Sequence, residues 1–214
     1  MGISILGLGQ KGFNYAHDEK LSAEKQRSLH ELAADFRQRS LQEVAAYLKS
    51  PDIDIQVYAI DGLARFGKES LPLYKELLKN SNDITVKDAV IDSLVTIVED
   101  RVTRELKLNK PDKPDYAFRL DVMTPGEKFR EARNSMINFN NLGINNEILP
   151  ILREVLINDP DEYTKMRAAK VLITLDELGI DGAKQIILEG FNTTYNVKEA
   201  LSRAYKLEQL CRPE

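Results

Sequence analysis

Two stretches of this chain, "LPLYKELLKNSNDITVKDAVIDSLVTI" (residues 71–97) and "LPILREVLINDPDEYTKMRAAKVLITL" (residues 149–175), follow one pattern 78 residues apart. Each begins with Leu-Pro and an apolar stripe, passes through a short polar segment that ends in aspartate, and continues into a second apolar stripe. Apolar residues spaced three and four positions apart form one face of an α-helix. The shared pattern therefore predicts two helices joined by a short turn.

The second stripe recurs elsewhere in the chain. Each copy begins with an apolar residue or threonine, and in most copies lysine follows. Small residues further along would let a neighbouring helix approach closely. The long middle interval leaves room for a degenerate copy, for which Glu127–Phe139 is the candidate, and Ala23–Phe36 is the candidate for an earlier copy. The four clear copies are separated by 31, 78 and 33 residues and begin at Ile55, Val86, Thr164 and Val197.

Local signals mark the helix boundaries within the two best copies. Asp83 and Asp161 stand where an N-cap side chain accepts hydrogen bonds from the first backbone N–H groups of a helix. Pro72 and Pro150 stand early in the preceding helices, where a missing N–H is tolerated best. A helix pair with two apolar stripes cannot bury both alone, so such pairs stack. This predicts an all-α fold, a right-handed α-α superhelix of about five to six helix pairs.

The sequence L-P-x-L-x-x-L-L, a polar turn and D-x-x-V-K-x-x-A resembles HEAT repeats, and its short spacing resembles the HEAT-like class found in phycobilisome lyases. The resemblance covers about residues 40–100 and 147–208. The signature patterns of ankyrin and tetratricopeptide repeats are absent. We expect an N-terminal arm over residues 1–21, a single solenoid over 22–210 and a tail over 211–214. Pro111 and Pro114 predict an inserted loop near 104–124.

The segment "GLGQKG", residues 7–12, matches the G-x-G-x-x-G pattern of dinucleotide-binding turns. Such a turn needs a strand before it, a helix that opens on the last glycine and a second strand afterwards. Here "FNYAHDEK" follows, with polar residues where a buried helix face requires apolar ones, and no strand pattern comes after it. We therefore interpret the segment as part of a flexible or capping arm.

The composition is that of an ordinary soluble globular protein, with 43% hydrophobic and 30% charged residues. A net charge of −4 gives no overall field that would attract nucleic acid or anionic lipid. One cysteine, Cys211, cannot form an internal disulfide, which favours a reducing compartment. The apolar run from Ile3 to Leu8 is too short to span a bilayer. We expect a cytoplasmic protein without a membrane span.

No set of residues indicates catalysis or metal binding. HEAT-like di-iron enzymes use repeated His-Glu dipeptides, whereas His30-Glu31 occurs once and His17 is the only other histidine. The paired carboxylates Asp159/Asp161 and Glu99/Asp100 are predicted to lie at helix ends as caps. We predict no catalytic residue, no cofactor and no metal, and hence a protein that is not an enzyme.

Charged positions in the repeat supply the candidate binding residues. The second position of the repeated stripe holds lysine in three copies, a ladder suited to phosphates or to an acidic protein strip. The seventh position changes from Asp61 and Asp92 to Lys170 and Arg203, so we expect an inner face that is acidic first and basic later. The inserted loop adds two aromatic side chains. The candidate partner-binding residues are Lys87, Arg130, Lys165, Lys198, Arg203, Tyr116 and Phe118.

The leading hypothesis is a non-catalytic scaffold that binds a partner protein through a concave groove and the basic inserted loop. One alternative is a HEAT-like nucleic-acid-binding protein, although the absence of tryptophan removes the best base-stacking side chain. A second is an enzyme, either a chaperone-like lyase that resembles phycobilin lyases or a base-excision enzyme, and a third is an assembly factor with a defined oligomeric state. The sequence does not identify the partner or the oligomeric state.

Overall fold

The computed structural model describes residues 22–109, 120, 122–135, 137–177 and 179–190. The predicted all-α class is confirmed, because helices account for most of these residues and no strand occurs among them.

The chain divides into two compact units, Met1–Ile97 and Val98–Glu214. The α-helices are α1 (Ala23–Phe36), α2 (Leu41–Ala46), α3 (Ile53–Ala64), α4 (Leu71–Asn80), α5 (Ile84–Asn109), α6 (Pro125–Asn134), α7 (Ile144–Glu147), α8 (Leu149–Asn158), α9 (Glu162–Glu177) and α10 (Ala183–Gly190). Short 3₁₀ turns cover 47–49, 67–70 and 139–142.

One turn geometry recurs three times between helices, at residues 50–52, 81–83 and 159–161; we call these the hairpin turns. The first residue of each is extended, with φ/ψ of −58°/140° at Ser50, −78°/134° at Ser81 and −66°/133° at Asp159. Its N–H donates to a carbonyl of the preceding helical turn, at 3.0, 2.9 and 3.0 Å respectively. Its side chain then accepts the N–H of the residue two positions on, at 3.1, 3.1 and 2.9 Å.

The aspartate that ends each hairpin turn caps the next helix. The Asp83 carboxylate accepts the N–H of Thr85 at 2.8 Å, and Asp161 accepts that of Thr164 at 2.6 Å, so both predicted N-caps are confirmed. Pro72 and Pro150 lie in the first turns of α4 and α8, also as predicted. Asp52 caps α3 in the same way, with the N–H of Asp54 at 3.0 Å, although the sequence pattern did not identify it.

Because the caps satisfy N–H groups that a helix leaves open, we expect Asp83→Ala to lower the free energy of unfolding by about 1 kcal/mol. Asn82→Ala is the matched control, since Asn82 lies in the same turn, is exposed and is not the cap. Urea denaturation followed by circular dichroism gives both values. Equal losses for the two variants would show that Asp83 contributes nothing as a cap.

In the first unit, α1 and α3 run side by side in the same direction. Lys25 near the start of α1 forms an ion pair of 3.2 Å with Asp52 at the start of α3. At the other end, a Cβ added to Gly62 would lie 3.1 Å from the ring of Phe36. Ser93 of α5 in turn donates a 3.4 Å hydrogen bond to the carbonyl of Ile60 in α3. These three helices begin at residues 23, 53 and 84, a spacing close to the 31-residue interval in the sequence.

In the second unit, α8 and α10 are likewise parallel neighbours. Leu149 at the start of α8 lies near Gly182, just before α10, and Arg153 pairs with Glu189 at 3.0 Å further along. Both helices pack against α9. Each unit therefore contains helices of the same direction about 30 to 35 residues apart in the sequence, separated by a connecting helix.

The region between the two best copies differs from expectation. α5 continues to Asn109 because its apolar stripe extends through Val102 and Leu106, both fully buried. Residues 104–109 of the predicted loop are therefore helical, and residues 110–119 lie outside the described part. The prediction that Glu99 and Asp100 lie at a helix end is wrong, since both are within α5.

The two candidate additional copies have different outcomes. Ala23–Phe36 coincides with α1, whereas only the part of Glu127–Phe139 up to Asn134 is α-helical. Within the described residues, none of the helices combines the length and the apolar character that a bilayer crossing requires.

Candidate charged surface on the second helices

We call the helices that follow the hairpin turns, α3, α5 and α9, the second helices. Four partly exposed side chains of α9 follow one another at intervals of four, three and four residues. These intervals place them in a narrow line along one side of the helix. Buried residues such as Ala168 and Leu172 occupy the opposite side. The line consists of Tyr163, Arg167, Lys170 and Thr174. We call Arg167 and Lys170 the basic stripe.

On α5, within the first unit, a matching line consists of Thr85, Asp88, Asp92 and Thr96, all partly exposed. We call Asp88 and Asp92 the acidic stripe. Asp92 and Lys170 occupy the same position of the repeat, and the threonine four residues later donates to the carbonyl of each, at 3.2 Å in both helices. This repeat position thus carries opposite charges in the two helices, whereas Arg167 corresponds in the repeat to the buried Ala89 and Asp88 to the buried Met166.

The members of both stripes also interact within the chain. They are partly covered rather than fully solvated, so their charges are less screened than those of extended surface side chains. Asp92 and Lys170, which the sequence pattern assigned to an inner face, are both partly exposed. The pattern did not single out Asp88 and Arg167. Their spacing of four and three residues from Asp92 and Lys170 would have placed them on the same side of their helices.

The predicted lysine ladder lies on a different side of the second helices. Lys165 precedes Arg167 by two residues, which is about 200° around an α-helix. It forms a 3.0 Å ion pair with Glu162 in the first turn of α9. Lys87, at the same repeat position in α5, is only 4% exposed, which differs from the exposed position expected of a ladder. In α3 this position is Gln56, whose side chain donates to the Ser50 carbonyl at 2.6 Å. In α3 this position therefore contacts the hairpin turn.

The remaining predicted residues are distributed as follows. Arg130 lies on α6 and is exposed. Lys198, Arg203, Tyr116 and Phe118 lie outside the described residues, as do the G-x-G-x-x-G segment, His17 and Cys211.

Several ion pairs of the second unit join two helices, and one of them involves a predicted carboxylate pair. Glu99 of α5 and Lys128 of α6 form an ion pair of 2.8 Å, and both side chains are mostly buried. Burial raises the pKa of the neighbouring Asp100, while the charges of Arg104 and Lys128 act in the opposite direction. The Glu99–Lys128 pair joins α5 to α6.

A buried group of hydroxyls lies between α3, α4 and α5. The Tyr74 hydroxyl donates to the Ile60 carbonyl at 2.7 Å, and the Ser93 hydroxyl approaches the same oxygen. Burial raises the pKa of Tyr74, so this phenol stays protonated as a donor. Such a fully paired network fixes helix positions and leaves no free nucleophile.

Histidine and metal chemistry have little support in the described part of the chain. His30 is exposed on α1, its Nδ1 lies 2.7 Å from the Gln26 carbonyl oxygen, and its ring meets the Tyr58 ring edge-on at 6.3 Å. Among the described residues, no three histidine, cysteine, aspartate or glutamate side chains are placed to hold a metal ion.

No protein-family model matches this chain, and no curated protein and no solved structure matches it either.

Proposed function

We propose that this protein is a non-catalytic binding module, built as a right-handed HEAT-like superhelix, that holds a partner protein along its second helices. Support for the repeat comes from the three hairpin turns, which share backbone angles and hydrogen bonds, and from the parallel helices of each unit. Helix pairs of this kind bury their apolar faces by stacking on the next pair, which leaves an extended surface available for contacts.

The observation on which the binding role rests is the pair of charged stripes. Asp88 and Asp92 on α5, and Arg167 and Lys170 on α9, are partly exposed. A partner with both basic and acidic segments would complement these two surfaces. Charge pairs of this type contribute mainly to specificity and to the rate of association.

We expect Lys170→Glu to abolish the capture of a partner that binds the basic stripe. Lys184→Glu is the matched control, because it makes the same charge change at an exposed position of α10 in the same unit. Immobilised wild-type and variant proteins are exposed to lysate of the native cells, and retained proteins are identified by mass spectrometry. A partner lost with Lys170→Glu and kept with Lys184→Glu supports the role, whereas equal retention by both variants contradicts it.

Two direct assays separate the alternative functions. Binding to duplex DNA that weakens with salt at a slope of about 0.9 per phosphate contacted would indicate a nucleic-acid-binding protein. Covalent attachment of a bilin to an acceptor protein during incubation would indicate a lyase. Either result would replace the scaffold role.

A further inference from the structure

One line of residues on α3 contacts α1 and the residue that follows it. Spacings of four, four and three residues place this line on one side of α3. The contacts are, in chain order, an ion pair, a ring contact, close packing and a hydrogen bond, made to Lys25, His30, Phe36 and Arg37. The line consists of Asp54, Tyr58, Gly62 and Arg65. We call it the α1-binding face.

The apolar part of this contact is small. Leu29 and Phe36 are the only two of the fourteen residues of α1 that are buried, whereas seven of the twelve residues of α3 are buried. The opposite side of α1, which includes Arg27 and Glu31, is exposed. Elements with few buried apolar residues separate from a protein at a lower free-energy cost than its core. We therefore expect α1 to be released more readily than α3.

Polar contacts hold the two ends of α1. At its start, the Lys25 ammonium lies 3.2 Å from a carboxylate oxygen of Asp52 and also pairs with Asp54. After its end, the Arg65 guanidinium donates to the carbonyl of Arg37 at 2.7 Å. Every α-helix leaves carbonyl groups open at its C-terminal end. Another helix with a cation near its start could therefore make both of these contacts.

We propose that the α1-binding face is an exchangeable docking site, which α1 occupies until an amphipathic helix of a partner protein replaces it. The partner helix carries lysine or arginine near its start and apolar residues four and eleven positions later, as Lys25, Leu29 and Phe36 do. The cation is required because Asp54, only 9% exposed, would otherwise be a buried carboxylate without a counter-charge. Residues at helical intervals supply the anchors in this mode of recognition. α1 thus acts as an autoinhibitory helix.

The exchange is a competition between α1 and the partner helix. A ligand that binds only when α1 is released has an apparent affinity reduced by the fraction of chains in the released state. A substitution that weakens the docking of α1 therefore strengthens the binding of a second helix. The same substitution in the second helix should weaken its binding, because both helices use the same contacts.

A labelled peptide with the sequence of residues 22–40 provides the probe helix, and fluorescence anisotropy measures its binding to the full chain. We expect Lys25→Met in the chain to tighten peptide binding about tenfold, because it favours the release of α1. Lys25→Met in the peptide should instead weaken binding to the wild-type chain about tenfold, because Asp54 then lacks its counter-charge. Exchange at one site predicts these opposite effects of a single substitution.

Arg27 supplies the matched control, since it is a cation on the exposed side of α1. Arg27→Met should leave peptide binding unchanged, whether it is made in the chain or in the peptide. The peptide variants are tested against the wild-type chain, so their result does not depend on the folding of a variant chain.

Two outcomes would overturn the docking site. One is a peptide that binds neither the wild-type chain nor the Lys25→Met chain, and the other is an equal effect of Lys25→Met and Arg27→Met. The site does not include the acidic stripe or the basic stripe, so neither outcome bears on the capture experiment with Lys170→Glu.

Discussion

Replacing Leu63 by alanine is expected to lower the free energy of unfolding by about 3–5 kcal/mol. Leu63 is fully buried on α3, a helix with no exposed residue. Removing its isobutyl group leaves a cavity that the surrounding α1, α2 and the 3₁₀ turn 67–70 cannot fill without losing their own contacts. Urea denaturation followed by circular dichroism measures the change.

Leu63→Met provides the control for this result, because it changes the shape of the side chain but keeps its volume. We expect it to lower the free energy of unfolding by less than about 1.5 kcal/mol. If Leu63→Ala were as mild as Leu63→Met, α3 would not be the central helix of the first unit.

The second large effect is expected at Gly190, the last residue of α10. A Cβ at this position would lie 2.4 Å from two side-chain carbons of Leu156 on α8, and Leu156 is itself buried. We expect Gly190→Ala to lower the free energy of unfolding by about 1–3 kcal/mol through overpacking, although alanine favours helix more than glycine does. Thermal and urea denaturation provide the measurement.

A double-mutant cycle isolates this contact. In a Leu156→Ala background the space for the new methyl group exists, so Gly190→Ala should then be neutral or stabilising. If Gly190→Ala lowered the free energy of unfolding equally in the wild type and in Leu156→Ala, its effect would not come from the contact with Leu156.

Local structure was largely predictable from the sequence because its causes are local. Asp83 and Asp161 cap helices through N–H groups two or three residues away, and prolines 72 and 150 fit the first helical turn. The apolar stripes likewise specify which helix faces are buried. Asp52 was missed because α2 is short and passes into a 3₁₀ turn, without the Leu-Pro start of the other copies.

The charged surface was predicted in part. Counting positions along the repeat singled out Asp92 and Lys170, and both are partly exposed. The same count treated the lysine positions 87 and 165 as equally accessible, yet Lys87 is buried and Lys165 pairs with Glu162 of its own helix. A difference of a single residue in the frame turns a side chain by about 100° around the helix.

The sequence by itself determined the helical class, the repeated helix pair and the caps, since each depends on residues within one or two helical turns. Only the tertiary structure decided that Lys87 is buried and that Gly190 has no room for a side chain. These properties depend on the packing of helices separated by tens of residues, and burial and charge environment are set by neighbours that a local pattern does not contain.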